Sequence, residues 1–226
     1  KYYQEGRLLG HGAQSSVKEI SKTESFAKKE LVQFDHKSLQ RFLNESEVLV
    51  QLRHPCIVRI HGFDYGDDSS PPSILLSLEP SSLEQSIQNH SLTNEEKNRI
   101  AVEIVLGMRY IHSHNLIHRD IKPANILLSK NNHVRIADFG LTKEENFETS
   151  QSKGIGTILF MAPELYNDDD DDDNDDKMYG CKVDVYSFGI TLLFLITEQY
   201  PKYNLSQIVS GKPPKLIEKV VGWAAE

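Results

Sequence analysis

The stretch His118-Arg119-Asp120-Ile121-Lys122-Pro123-Ala124-Asn125, with Asp138-Phe139-Gly140 shortly after it, decides how the rest of the chain is read. Within eight residues it sets an imidazole, a guanidinium, a carboxylate, an ammonium and an amide. Apolar runs enclose it: Leu116-Ile117 before, Ile126-Leu127-Leu128 after. A further run, Val134-Arg135-Ile136, follows a polar turn at Lys130 to His133, so the two runs read as a small hairpin that delivers the chain to Asp138. One at a time, these residues are a core histidine and scattered loop aspartates. Their order and spacing carry the weight.

Upstream, Glu95 to His114 is an amphipathic helix with Ile100, Ile104, Met108 and Ile111 on or near one face. Thr93 is placed to cap it, with Glu96 completing a capping box. Another helix is expected from Ser38 to about Arg53, ended by His54-Pro55 because proline cannot continue the hydrogen-bond ladder. Strands are expected at Ile57-Val58 and Ile74-Leu75-Leu76, with a turn at Asp67 to Pro72. Leu8, Leu9, Val17 and Ile20 flank the glycine-rich turn Gly10-x-Gly12-x-x-Ser15-x-Val17, and Phe26-Ala27 precedes Lys28-Lys29. Glycines let a backbone bring its N–H groups close to phosphates, yet an ordinary hairpin turn fits equally well. Lys29, likewise, is either a phosphate-reaching lysine or a solvated residue on an edge strand. Downstream, Val183 to Thr197 is apolar, interrupted by Asp184, and reads as a buried helix too short to span a bilayer. A strand-rich first third and a helical remainder give an α+β chain with two unequal lobes.

Ala162-Pro163-Glu164 and Asp184-Val185-Tyr186-Ser187-Phe188-Gly189 complete the set of signatures. In this order they resemble the eukaryotic protein kinase family over nearly the whole chain, and their texture is most similar to its tyrosine-kinase-like group. The resemblance implies a strand-rich lobe and hinge at 1–79 and a mainly helical lobe at 80–226, shortened at its C-terminal helices. It implies an enzyme that transfers the γ-phosphoryl group of ATP, with Mg2+, to protein substrates. Asp120 is then the proton acceptor, Lys122 steadies the transferring group, and Lys29, held by Glu45 rather than Glu47, contacts the phosphates. Asn125 and Asp138 bind the metal. Leu9, Gly10, Gly12, Val17, Ala27, Leu127 and the hinge Ser77, Leu78 and Glu79 enclose the nucleotide, with Leu76 at the rear. A lysine two residues after the aspartate is the serine/threonine pattern of the family. The alternative is a pseudokinase or nucleotide-binding scaffold, inactive as this shortened chain. Loss of Lys29, Asp120 or Asp138 would favour that reading, and all three are present.

The same resemblance makes Arg119 a partner for a phosphate on the loop from Asp138 to Glu164, with Thr149, Ser150 or Ser152 as the phosphorylated position. Thr157 is expected to support the catalytic loop instead. Two features depart from the family. Ser15 stands where a third glycine is usual. No arginine follows Arg135, so Glu164 lacks its usual partner, and an exposed apolar patch is expected where further helices pack in the family.

Composition narrows the remainder. Charged residues make up 26% and hydrophobic ones 38%, the balance of a globular protein. The formal net charge is −8, and the aspartates between Asp168 and Asp176 account for all of it, so no basic nucleic-acid footprint is expected. That run is expected to be an extended, disordered insertion, without the spaced ligands and glycine of an EF-hand. Two distant cysteines, Cys56 and Cys181, suggest a reducing, cytoplasmic setting. Neither a leader nor a membrane segment is visible, and nothing in the sequence bears on oligomeric state.

Overall fold

The computed structural model describes residues 4–11, 15–21, 25–33, 35–66, 70–144, 159–165 and 180–202. The first part is a five-stranded antiparallel sheet of β1 (Gln4–His11), β2 (Ser15–Ser21), β3 (Ser25–Leu31), β4 (Ile60–Asp64) and β5 (Ser73–Ser77), in the order β1-β2-β3-β5-β4. Helix α1 (His36–Gln51) follows β3. Lys29 therefore lies on the central strand, not on an edge as the sequence suggested. Register puts Val17 opposite Lys29 and Leu76 opposite Ala27, so these four share one face of the sheet. The other face brings Lys18 and Lys28 opposite one another, and Glu30 offsets the repulsion by binding both, at 2.9 and 2.7 Å.

Helix α1 starts earlier than the sequence suggested. Asp35, not Ser38, is the N-cap: its carboxylate accepts from the Ser38 N–H at 3.0 Å and from the Ser38 hydroxyl at 2.5 Å. The strand expected at Ile57-Val58 is also displaced. Ile57 makes only an isolated bridge to Ile136, and the true strand begins at Ile60. Ile57 and Val58 are fully buried, so their apolar character reflects core packing rather than a ladder.

The helical part contains α2 (Leu83–Gln88), α3 (Asn94–Ser113) and α4 (Lys182–Thr197). Thr93 and Glu96 form the expected capping box on α3, and Ile100, Ile104, Met108 and Ile111 are its buried face. Gly107 lies on that face because a Cβ there would meet Ile136 Cδ1 at 2.6 Å, so the helix can lie directly against the hairpin. The hairpin is β8 (Ile126–Leu128) with β9 (Val134–Ile136), joined by β6 (Ser81–Ser82). A separate two-stranded pairing joins β7 (Leu116–Ile117) to β10 (Lys143–Glu144), aligning the entry to the catalytic loop with the segment after Gly140. Val102, Val105 and Leu106 are exposed on the outer side of α3. Among the described residues no helix is long and apolar enough to cross a membrane. The aspartate run lies outside the described residues.

Candidate active site

The catalytic loop hangs from the start of α4. Asp184 is completely buried, and its two oxygens accept from the backbone N–H groups of His118 at 2.9 Å and Arg119 at 2.8 Å. His112 Nε2, at the end of α3, lies 2.8 Å from the same carboxylate. Arg119 adopts a left-handed backbone, φ 65°, which costs an L-residue about 1–2 kcal/mol. The two charge-assisted bonds to Asp184 offset that strain. His118 ties the loop inward. The Asp120 N–H donates to its Nδ1 at 3.2 Å, which leaves the proton on Nε2 to donate to the Ala137 carbonyl at 3.1 Å. Its ring meets Phe139 edge-on, with centroids 4.8 Å apart.

Asp120 is thereby fixed beside two donors. Its Oδ2 accepts from Lys122 Nζ at 2.7 Å and Asn125 Nδ2 at 2.7 Å, and Asn125 Nδ2 also donates to the Asp120 carbonyl at 2.9 Å. With both amide hydrogens used, the amide oxygen is the remaining polar atom of Asn125. Asp120 Oδ1 is buried and has no hydrogen-bond partner among the described residues. Burial pushes the Asp120 carboxyl above the usual aspartate range, against the pull of Lys122.

Lys29 projects from β3 to meet α1 and the segment at Asp138. Its Nζ lies 2.9 and 2.7 Å from the Glu45 oxygens and 3.0 Å from Asp138 Oδ1. Glu45 belongs to the buried face of α1 with Phe42, Val48 and Leu49, whereas Glu47 is exposed. The Phe139 N–H also donates to Glu45. Burial by itself would lower the Lys29 ammonium, but Asp138 and Glu45 more than reverse this and hold it charged. Burial raises the Glu45 carboxyl. Lys29 pulls the Asp138 carboxyl down to about 2, and the Asp138 side chain keeps 45% of its surface accessible. Asp138, too, has a left-handed backbone, φ 65°. The Ala137 N–H donates to the Asn125 carbonyl at 2.9 Å, joining the Asp138 segment to the catalytic loop.

The remaining expected residues are placed as follows. Ala27 is buried, and Leu9, Val17, Leu78 and Leu127 are half-buried and packed on the same core. Gly10 pairs with Val17. Ser77 donates its N–H to the Arg59 carbonyl at 2.9 Å, so that donor is used by β4 and the expected hinge contact narrows to Leu78 and Glu79. The Glu79 carboxyl is raised by burial, and its Oε1 lies 3.8 Å from Arg135 Nε. Glu164 is exposed. Gly12, Thr149, Ser150, Ser152 and Thr157 lie outside the described residues.

The sequence profile of the protein kinase domain matches residues 3–214. The chain belongs to the protein kinase family. This kinase domain is 36% identical over 214 residues to mitogen-activated protein kinase kinase kinase 1 of Arabidopsis thaliana, a match covering 91% of the chain and 34% of that protein. It is 34% identical over 209 residues to wall-associated receptor kinase 2 of the same plant, covering 87% of the chain and 27% of the relative. It is 33% identical over 230 residues to a dual specificity protein kinase of Dictyostelium discoideum, covering 97% and 33% respectively. The chain thus spans about a third or less of each of these relatives.

Two contributors were not singled out by sequence. Asp184 was noted only as part of a motif and as a charge at the head of an apolar helix; the mismatch was the available signal. Asn44, which donates to the Thr142 carbonyl at 2.8 Å, gave none.

Proposed function

We propose that this kinase domain transfers the γ-phosphoryl group of ATP to serine or threonine hydroxyls of protein substrates, and that it stands nearest the tyrosine-kinase-like group. The observation that carries this is the buried, unpartnered Oδ1 of Asp120 beside Lys122 Nζ. A buried acceptor without a donor costs about 1–3 kcal/mol, and a substrate hydroxyl is the donor that fits it. The same carboxylate, raised by burial, suits general-base work. Lys122 is within reach to balance charge on the group being transferred. Lys29, fixed by Glu45, supplies an ammonium for the nucleotide phosphates, and the face bearing Val17, Ala27 and Leu127 gives apolar cover for its base.

Mg2+ prefers hard oxygen ligands, and the donor set suits it: an ionised, half-accessible Asp138 carboxylate and the Asn125 amide oxygen. Those two residues would hold the metal, which when bound neutralises phosphate charge. Serine/threonine preference is supported by Lys122 and by the printed names of Dictyostelium relatives, among them a probable serine/threonine-protein kinase 31% identical over 208 residues. A dual specificity relative keeps tyrosine in the test.

The test is phosphoryl transfer from MgATP to a mixed Ser/Thr/Tyr peptide library. Asp120→Asn should lower the rate by about 10²–10⁴-fold while leaving nucleotide affinity nearly unchanged. Transfer to tyrosine alone would overturn the hydroxyl assignment. Nucleotide binding without any transfer by the longest natural chain would favour the scaffold reading.

A further inference from the structure

Helix α1 carries two consecutive polar residues, Asn44 and Glu45, and both reach the segment that begins at Asp138. Glu45 binds Lys29 and accepts the Phe139 N–H. Asn44 Nδ2 donates to the Thr142 carbonyl at 2.8 Å. The Thr142 N–H in turn donates to the Phe139 carbonyl at 3.0 Å, closing a turn from Phe139 to Thr142. Helix α1 therefore grips that turn at both ends. Phe139 is completely buried and Thr142 is 1% exposed, so neither end can exchange its protein partner for water without moving.

We propose that Asn44 is a positioning residue: it latches the Phe139–Thr142 turn to α1, so that this turn and the Lys29–Glu45 ion pair form and release together. The proposal rests on the reading of Lys29, Glu45 and Asp138 as the phosphate-binding side of the site. Its physical basis is the rigidity of a helix. Neighbouring residues on one turn cannot separate, so a displacement of α1 that breaks one bond strains the other. A neutral hydrogen bond is modest on balance and shifts the ratio of latched to released forms by about 2- to 13-fold. That is enough to change how often Lys29 is held, and too little to unfold the chain. Asn44 touches no reacting atom, and its effect passes through Glu45.

Hydrogen exchange at the Phe139 amide, measured on the full chain without nucleotide, tests this. That amide's own acceptor, Glu45, is untouched by changes at residue 44. Asn44→Asp preserves volume but replaces the donor with a carboxylate facing a carbonyl, and Asn44→Leu removes the bond without adding charge. Both should speed Phe139 exchange by about 2- to 13-fold while leaving the core amide of Ile104 unchanged. In a Glu45→Gln background the further acceleration should shrink, because the partner through which Asn44 acts has gone. Unchanged Phe139 exchange overturns the proposal. So does equal acceleration at Phe139 and Ile104, which would signal general destabilisation, and so does full additivity with Glu45→Gln. A wild-type chain that binds no MgATP would sink the kinase reading instead, and the exchange result would still decide the latch.

Discussion

The two sides of the candidate site are held together by different physics. The catalytic loop hangs from one buried carboxylate, Asp184, through two backbone amides and a histidine, and its strained Arg119 is compensated on the spot. The Lys29 side gathers an ammonium and two carboxylates from three separate elements, and charge is most of what joins them. The first arrangement is a fixed template. The second depends on where α1 sits and on which groups are ionised. A phosphoryl-transfer site benefits from both, because the proton acceptor must not wander while the nucleotide side must open to exchange its ligand.

Removing the anchor should break the contrast most severely. Asp184→Ala orphans two buried N–H groups and leaves His112 without its partner, at about 1–3 kcal/mol for each buried donor left unmade. A loss of about 3 kcal/mol or more in denaturant-unfolding stability is expected, together with loss of transfer activity. The Lys29 side has no comparable single support. Glu45→Gln should keep most of the stability and weaken chiefly nucleotide binding. If Asp184→Ala were as mild as Glu45→Gln in the unfolding measurement, the distinction would collapse.

How much of this was legible in sequence follows the same division. The catalytic loop is local: Asp120, Lys122 and Asn125 lie within six residues, and their mutual bonds follow from that spacing. The capping box at Thr93 and Glu96 was legible for the same reason. Glu45 could be preferred over Glu47 only through family spacing, and its burial beside Phe42 and Val48 explains the choice afterwards. Contacts such as Asp184 to His118 or Asn44 to Thr142 join residues far apart in the chain, and periodicity carries no information about them. Ile57-Val58 misled because complete burial in a connecting segment gives the same apolar pair as a strand.

Acid should separate the two sides more gently. Asp138 has its folded value lowered to about 2 by Lys29, below the ordinary 3.8. Its contribution to stability is therefore present above about 3.8 and is lost as pH falls toward 2. Asp120, raised by burial, behaves oppositely: the fold gains as that carboxyl takes up its proton. A carboxyl-detected titration should show Asp138 with the lower midpoint and Asp120 with the higher. In Lys29→Met the Asp138 midpoint should rise while Asp120 stays on the high side of its ordinary range. Should Asp138 remain near 2 without Lys29, the charge account of that side is wrong.

The smallest expected effect probes a defect on the Lys29 side. Thr142 is buried beneath α1, and its hydroxyl has no hydrogen-bond partner among the described residues, although its carbonyl serves Asn44. Thr142→Val exchanges that hydroxyl for a methyl of similar shape and leaves the carbonyl in place. Stability should rise by about 1 kcal/mol, because the desolvated hydroxyl no longer goes unpaired. For a chain of this length such a gain appears as a rise of about 2–4 °C in melting temperature. Thr191, completely buried on α4 with an unpartnered hydroxyl, provides the matched substitution beside the catalytic-loop anchor. Similar gains at both positions would mean that unpaired hydroxyls cost the same on either side. A loss at Thr142 alone would mean that its hydroxyl finds a donor or acceptor in solution, and that the turn under α1 is rebuilt more readily than the loop beneath Asp184.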